Sequence, residues 1–281
     1  MDTKELNYST VRIHCNHQNG TSSSGTGFII RFAEQTINGK YASVPCIVTN
    51  KHVIRNAHEI TVRFHSTNLD GTKTKKHCQF TFDLSKLIIM HPDDNVDLCA
   101  IPIETMYRVA FKDNIKPHYY GISLHQISKE EALKEYYPSE DIVVVGYPNG
   151  IWDELHNLPV FRKGTLATMP SVNYKAKKEF LIDCAIYPGS SGSPVFSVKQ
   201  LFNPDTYEPF TSIKLLGVVY ATYQHNARGE TITKDIPTNI IATPVPNHLG
   251  IVINSSRIME LDTIIRDYFS DVPADDILQV D

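Results

Sequence analysis

Three short stretches of the chain carry side chains whose types and spacing suit nucleophilic chemistry. The first is Pro188-Gly189-Ser190-Ser191-Gly192-Ser193-Pro194-Val195-Phe196, a turn of small residues between two apolar runs. Glycine lets such a turn fold back without steric cost. Consecutive backbone N–H groups in it can aim at one point and hold a developing oxyanion. A serine hydroxyl is a weak nucleophile by itself, so Ser191 needs a base and an orienting acid from elsewhere. The base candidate is His52, in Ile47-Val48-Thr49-Asn50-Lys51-His52-Val53-Ile54, where an apolar run enters a short polar turn. The acid candidate is Asp97, which opens the otherwise apolar run Leu98-Cys99-Ala100-Ile101.

Each candidate has a plainer rival. A serine in an isolated G-x-S-G is usually just a turn residue. It gains weight here because a histidine and an aspartate precede it in the order His52, Asp97, Ser191, which separates one arrangement of this triad from the others. His58 and His91 lie near in sequence, but neither follows an apolar strand through a tight turn. Asp93 and Asp94 follow Pro92 and read as turn formers. His14-Cys15-Asn16-His17 matches no closed zinc set and reads as strand and loop, so no metal is expected.

The elements that must position these groups read as mostly strands. Runs rich in Val, Ile, Phe and Tyr recur between polar turns at 11–15, 26–32, 45–49, 59–64, 98–102, 142–145, 161–167, 180–183, 194–197, 214–222 and 249–253. Lys73-Thr74-Lys75-Lys76 reads as a solvated hairpin turn, and 128–136 as a short helix between the two halves. A linker is expected near 104–140. Segments 200–212 and 224–237 read as surface insertions. Ile258, Leu261, Ile264, Ile265 and Tyr268 recur at three- and four-residue steps and predict a closing helix, with Ser255 or Ser256 as its cap. Residues 271–281 read as a loose acidic tail.

Four passages together resemble the chymotrypsin/trypsin-like serine peptidases over about residues 8–270. They are Gly25-Thr26-Gly27-Phe28-Ile29-Ile30, Val48-Thr49-Asn50-Lys51-His52-Val53, Asp97-Leu98-Cys99-Ala100-Ile101 and Gly189-Ser190-Ser191-Gly192-Ser193-Pro194. The first looks like the early G-x-G-F strand of the family's non-secretory and bacterial trypsin-like branches, and the last has the G-x-S-G-S-P form of glutamyl-endopeptidase-like members. The resemblance implies an all-β fold of two six-stranded antiparallel β-barrels with the active site in the cleft between them, and a C-terminal helix. It divides the chain into 1–120 with His52 and Asp97, 121–270 with Ser191, and the tail 271–281. It implies a serine endopeptidase working through an acyl-enzyme, with His52 as base, Asp97 orienting it, and the N–H groups of Gly189 and Ser191 as the oxyanion hole. It puts the base of the specificity pocket at Ala185 and Ile186 and its wall at Tyr220, Ala221 and Thr222, a strand along which substrate backbone adds.

Departures from the family carry information too. The secreted trypsin branch has an aspartate before the nucleophilic serine, paired with a freed N-terminus. Here Ser190 stands there and cannot form that ion pair, so no proteolytic activation is expected. Ala185 replaces the pocket aspartate of trypsin-like members, and Val219 the histidine of glutamyl endopeptidases. An uncharged, apolar residue before the scissile bond is therefore expected, since an unpaired charge is costly to bury.

Composition narrows the remaining classes. The chain has 281 residues, 41% of them hydrophobic, enough for a sizeable core. A formal charge of −4 without a long basic run gives no support to nucleic-acid binding. No 18-residue apolar run is present, so no membrane association is expected. The N-terminal residues lack the pattern of a leader peptide. Five cysteines, an odd count, show no disulfide framework and suggest a reducing, cytoplasmic compartment. No cofactor is expected. The partner is a polypeptide substrate, with a single processed partner protein as the narrow form of that reading. The rivals are a serine esterase, which would need the order serine, acid, histidine on βα units, and a peptide-binding module that kept the fold without catalysis.

Overall fold

The computed structural model describes residues 3–37, 39–68, 70–85, 88–103, 115–230 and 240–269. Within the expected linker, 104–114 lies outside the described residues, as does the tail 271–281.

The N-terminal half carries β1 (Thr10–His17), β2 (Ser22–Ile37), β3 (Lys40–Thr49), a one-turn helix α1 (Lys51–Ile54), β4 (Ala57–Asn68), β5 (Lys73–Asp83), β6 (Ile89–Met90), β7 (Cys99–Pro102), β8 (Ile115–His118) and β9 (Ile122–Ser123). They form one nine-stranded sheet in the order β5-β4-β1-β2-β3-β7-β6, with β8 beside β4 and β9 beside β2. This departs from the six-stranded barrel expected. Short strands escaped the sequence pattern, and Lys73-Thr74-Lys75-Lys76 proves to begin β5 rather than to form a turn. That strand ends the sheet path, where lysine-rich edges are common because they discourage pairing with other chains.

The C-terminal half is a closed six-stranded barrel of β10 (Asp141–Gly146), β11 (Val160–Leu166), β12 (Glu179–Asp183), β13 (Pro194–Phe202), β14 (Pro209–Glu230) and β15 (Ile240–Asn254). Both expected insertions turn out to extend hairpins. Gln200 pairs with Thr211 and Phe202 with Pro209 between β13 and β14, and β14 runs on to Glu230 against Ile240. Positions 231–237 of the second lie outside the described residues. The short helix expected over 128–136 is reduced to a 3-10 turn at Ala132–Glu135, preceded by another at Leu124–Gln126.

The closing helix α2 spans Ser255–Tyr268. Asn254, not Ser255 or Ser256, caps it, its side chain accepting from the Ser256 N–H at 2.8 Å. Ile258, Leu261 and Ile265 are fully buried. They join Phe28, Ile30 and Phe32 of β2 and Val145, Phe196 and Leu215 of the barrel in one apolar cluster. Each such side chain contributes about 1.5–3 kcal/mol on burial, so α2 fastens the two halves together. Asp262 adds a polar tie to the Ala33 N–H at 2.7 Å, at a bulge in β2. Among the described residues no helix is long and apolar enough to cross a membrane.

Candidate active site

His52 sits in α1, directly after β3. Val53 and Ile54 of the same turn are buried in the N-terminal core, which turns the histidine outward. Asp97 precedes β7, and β3 pairs with β7 from Thr49↔Cys99 to Cys46↔Pro102. Strand pairing therefore brings the two residues together across 45 positions. His52 Nδ1 pairs with Asp97 Oδ2, and the His52 backbone N–H donates to Asp97 Oδ1 at 2.9 Å. Burial alone would raise the Asp97 carboxyl, but these bonds to His52 outweigh it and hold it below the usual carboxylate range.

Two neighbours that the sequence reading passed over tighten this corner. Fully buried Asn50 donates from Nδ2 to the Asp97 carbonyl at 2.7 Å. Lys51 donates from Nζ to the carbonyls of His91 at 3.0 Å and Asp93 at 3.2 Å. Polar residues ending an apolar strand were the available signal. His91 is buried, accepts the Asp93 N–H at Nδ1 (3.1 Å), and lies 3.2 Å from Glu260 of α2 without a well-aligned bond. Arg257 of α2 reaches Asp93 at 3.5 Å. The acid loop is thus tied to the last helix.

Ser191 lies in the turn between β12 and β13. Its carbonyl accepts the Thr26 N–H at 2.9 Å, which seats the turn on β2 beside Thr49, three residues before His52. The turn needs glycine at two places. Gly192 has φ +85°, and a Cβ on it would lie 1.9 Å from the Thr26 carbonyl; Gly189 has φ +87°, and its Cβ would lie 2.6 Å from the Tyr147 carbonyl. The Ser191 hydroxyl donates to the Tyr220 carbonyl at 3.5 Å, and no hydrogen bond joins it to His52. Among the described residues, the N–H groups of Gly189 and Ser191 have no protein partner.

Of the expected specificity residues, Tyr220 contacts this turn through its carbonyl. Tyr220 falls at a bulge in β14, between the pairs Val219↔Val252 and Ala221↔Ile251. Burial, then the Glu179 carboxylate and the charge of Asp97, push its phenol well above the ordinary value, while its carbonyl accepts the Ser191 hydroxyl. Ala221 is half-buried, and Thr222 donates to the Leu249 carbonyl at 3.1 Å. Ala185 is half-buried, while Ile186 is buried in the barrel core with Ile182 and Val252. A cavity of about 300 Å³ opens behind the acid loop between Asp93, Asn95, Val96, Glu179 and Arg257; Ser191, Ala185 and Ile186 do not line it. No group of His, Cys, Asp and Glu among the described residues could hold a metal ion.

The model of the trypsin-like peptidase domain matches residues 25–201, more than half of the chain and all three candidate residues. The chain belongs to the trypsin-like peptidase domain family. This is a family of serine endopeptidases, hydrolases by reaction class. Solved structures similar to this trypsin-like chain include an HtrA-type protease, AlgW, with a tripeptide (13% identity, 95% of this chain and 62% of that one, TM-score 0.49). Others are a serine endoprotease from Yersinia pestis (15%, 94% and 65%, 0.47) and the active form of the Rv3671c protease from M. tuberculosis (16%, 90% and 78%, 0.44). The chain spans less than two thirds of the length of the first two. No curated protein matches it.

Proposed function

We propose that this trypsin-like chain is a serine endopeptidase acting through His52, Asp97 and Ser191. The observation that carries the reading is the two-point hold of Asp97 on His52, one carboxylate oxygen on the ring and the other on the backbone N–H. It sets the imidazole with Nδ1 toward the acid, leaving Nε2 to take a proton. Ser191 Oγ attacks the scissile carbonyl carbon as its proton passes to His52 Nε2. The oxyanion is held by the N–H groups of Gly189 and Ser191. Collapse breaks the C–N bond, the leaving amine takes the proton from His52, and water then hydrolyses the acyl-enzyme by the same relay.

In this reading, 1–120 supplies base and acid and 121–270 supplies the nucleophile and the strand Tyr220–Thr222, along which an extended polypeptide binds. Ala185, half-buried and uncharged, favours an uncharged, apolar residue before the scissile bond, with Ile186 beside it in the chain packed into the barrel core. The substrate class is polypeptide, in its narrowest form one dedicated partner protein. Five free, buried thiols support a reducing, cytoplasmic compartment.

One observation favours a peptide-binding module instead: the Ser191 hydroxyl engages Tyr220 rather than His52. In the peptidase reading the hydroxyl leaves Tyr220 for His52 when substrate binds, since catalytic hydrogen bonds often tighten only with substrate. A fluorophosphonate probe decides between them. Labelling of wild type, lost in Ser191→Ala and accompanied by cleavage of a peptide library, is the expected result. An unlabelled, inert wild type that still binds extended peptides would establish the module.

A further inference from the structure

Thr26 stands between Gly25 and Gly27 in β2 and is completely buried. It belongs to the half that carries His52, yet its bonds run to the nucleophile turn. Its N–H donates to the Ser191 carbonyl at 2.9 Å, and its hydroxyl donates to the Gly189 carbonyl, also at 2.9 Å. The same hydroxyl accepts the Tyr147 N–H at 3.1 Å, which fixes where its proton points. Its own carbonyl accepts from the Thr49 hydroxyl at 2.7 Å. One residue thus holds the carbonyls on both sides of Ser190.

A second hold lies one peptide upstream. Asn149, in a left-handed conformation (φ +52°), donates its N–H to the Pro188 carbonyl at 2.5 Å. In a planar trans peptide the carbonyl and the N–H point to opposite sides, so this bond turns the Gly189 N–H away from Asn149. By the same geometry, the bond from the Ser193 N–H to the Ser190 carbonyl at 3.0 Å turns the Ser191 N–H away from Ser193. Both N–H groups are left without a protein partner among the described residues. Gly189 is where rotation meets least resistance, since glycine tolerates either sign of φ. A flip of the peptide beside it would replace an inward N–H with a carbonyl oxygen and repel an oxyanion.

We infer that Thr26, with the Asn149 amide, clamps the peptides flanking Gly189 so that the oxyanion donors are preset by the fold. Thr26 is then a positioning residue, acting through Gly189 and Ser191 without touching substrate. The inference rests on the peptidase reading. It implies an effect on the transition state and none on the ground state, because only the former carries the oxyanion.

The test uses the best-cleaved peptide from a mixed library, a peptide aldehyde that mimics the tetrahedral state, and the uncleavable amide of the cleaved fragment. Thr26→Val, which keeps the shape and removes the hydroxyl, is expected to lower kcat by about 10²-fold. KM and amide affinity should hardly change, while aldehyde affinity falls with kcat. Thr26→Ser, which restores the hydroxyl, should recover most of the loss. Exposed Asn149 supplies the second pair: Asn149→Gly keeps the amide and tolerates the left-handed backbone, whereas replacing the Asn149 amide with an ester (the α-hydroxy analogue of asparagine) removes the donor without forcing φ negative, as proline would, and should show the same split. Should Thr26→Val not fold, the Asn149 pair decides. The clamp is overturned if the ester at 149 and any folded Thr26→Val retain kcat and aldehyde affinity, or if Thr26→Ser falls as far as Thr26→Val. A wild type that neither cleaves nor takes the fluorophosphonate overturns the peptidase reading itself, and the clamp with it.

Discussion

Asp97 grips His52 through both carboxylate oxygens, whereas Ser191 directs its hydroxyl to a backbone carbonyl on the other side of the site. The proposed base and acid come from one half and are locked by bonds made within that half, with Asn50 and Lys51 as local braces. The nucleophile turn is seated by residues of both halves, through Thr26 and Asn149. An acid–base pair has to hold one tautomer throughout the reaction, so a rigid mount suits it. In the proposed mechanism the nucleophile must exchange partners during attack and acyl transfer, which suits a held backbone whose hydroxyl bonds only a carbonyl at 3.5 Å.

Four experiments would break or sharpen this contrast. Ser191→Ala should reduce kcat by about 10⁶-fold, as removal of a triad nucleophile does, with the fold unchanged by circular dichroism; residual turnover near wild type would take the nucleophile out of this turn. Asp97→Asn keeps the shape but offers the wrong partner to Nδ1, and should lower kcat by about 10⁴-fold at neutral pH. A small loss would mean that the lock on His52 is structural only.

Stability measurements probe the brace between the acid loop and α2. Asn254 both caps α2 and donates to the Pro170 carbonyl at 3.0 Å while buried. Asn254→Ala should cost about 1–2 kcal/mol in urea unfolding; no change would detach the helix from the support of the site. The smallest effect concerns His91. Burial holds its pKa below the ordinary value; Glu260 opposes this, while Arg257 and Lys51 add to it. The unfolded chain then takes the proton more readily, so the fold loses stability as pH falls below about 6.5 toward the lowered value. His91→Asn should flatten that slope. Asp97 acts in a lower window: its depressed pKa stabilises the fold above the ordinary carboxylate value of about 3.9 and is lost as pH falls through the folded value.

The site was legible in the sequence wherever local pattern and chemistry coincided. His52 follows an apolar strand, Asp97 opens one, and Ser191 lies in a turn whose glycines are required by the backbone. The closing helix could be read from Ile258, Leu261 and Ile265, though its cap was displaced by one residue because serine and asparagine both cap well. Long hairpin extensions and short strands were not legible. Their polar composition resembles loops, and only pairing with β4, β13 or β14 makes them strands. Thr26 was visible as part of Gly25-Thr26-Gly27, but its hydroxyl has no meaning until the turn 163 residues away reaches it.

The chain's order of His52, Asp97 and Ser191, its strand-rich pattern and its small-residue turn follow from residue type and spacing, because glycine, β-branched residues and proline act on their own stretch of backbone. The nine-stranded first half, the double hold of Asp97 on His52, the bulge at Tyr220 whose carbonyl meets the serine, and the seating of the Ser191 turn were decided only by the tertiary structure. Each depends on hydrogen bonds between segments far apart in the chain, whose geometry arises once the strands have paired.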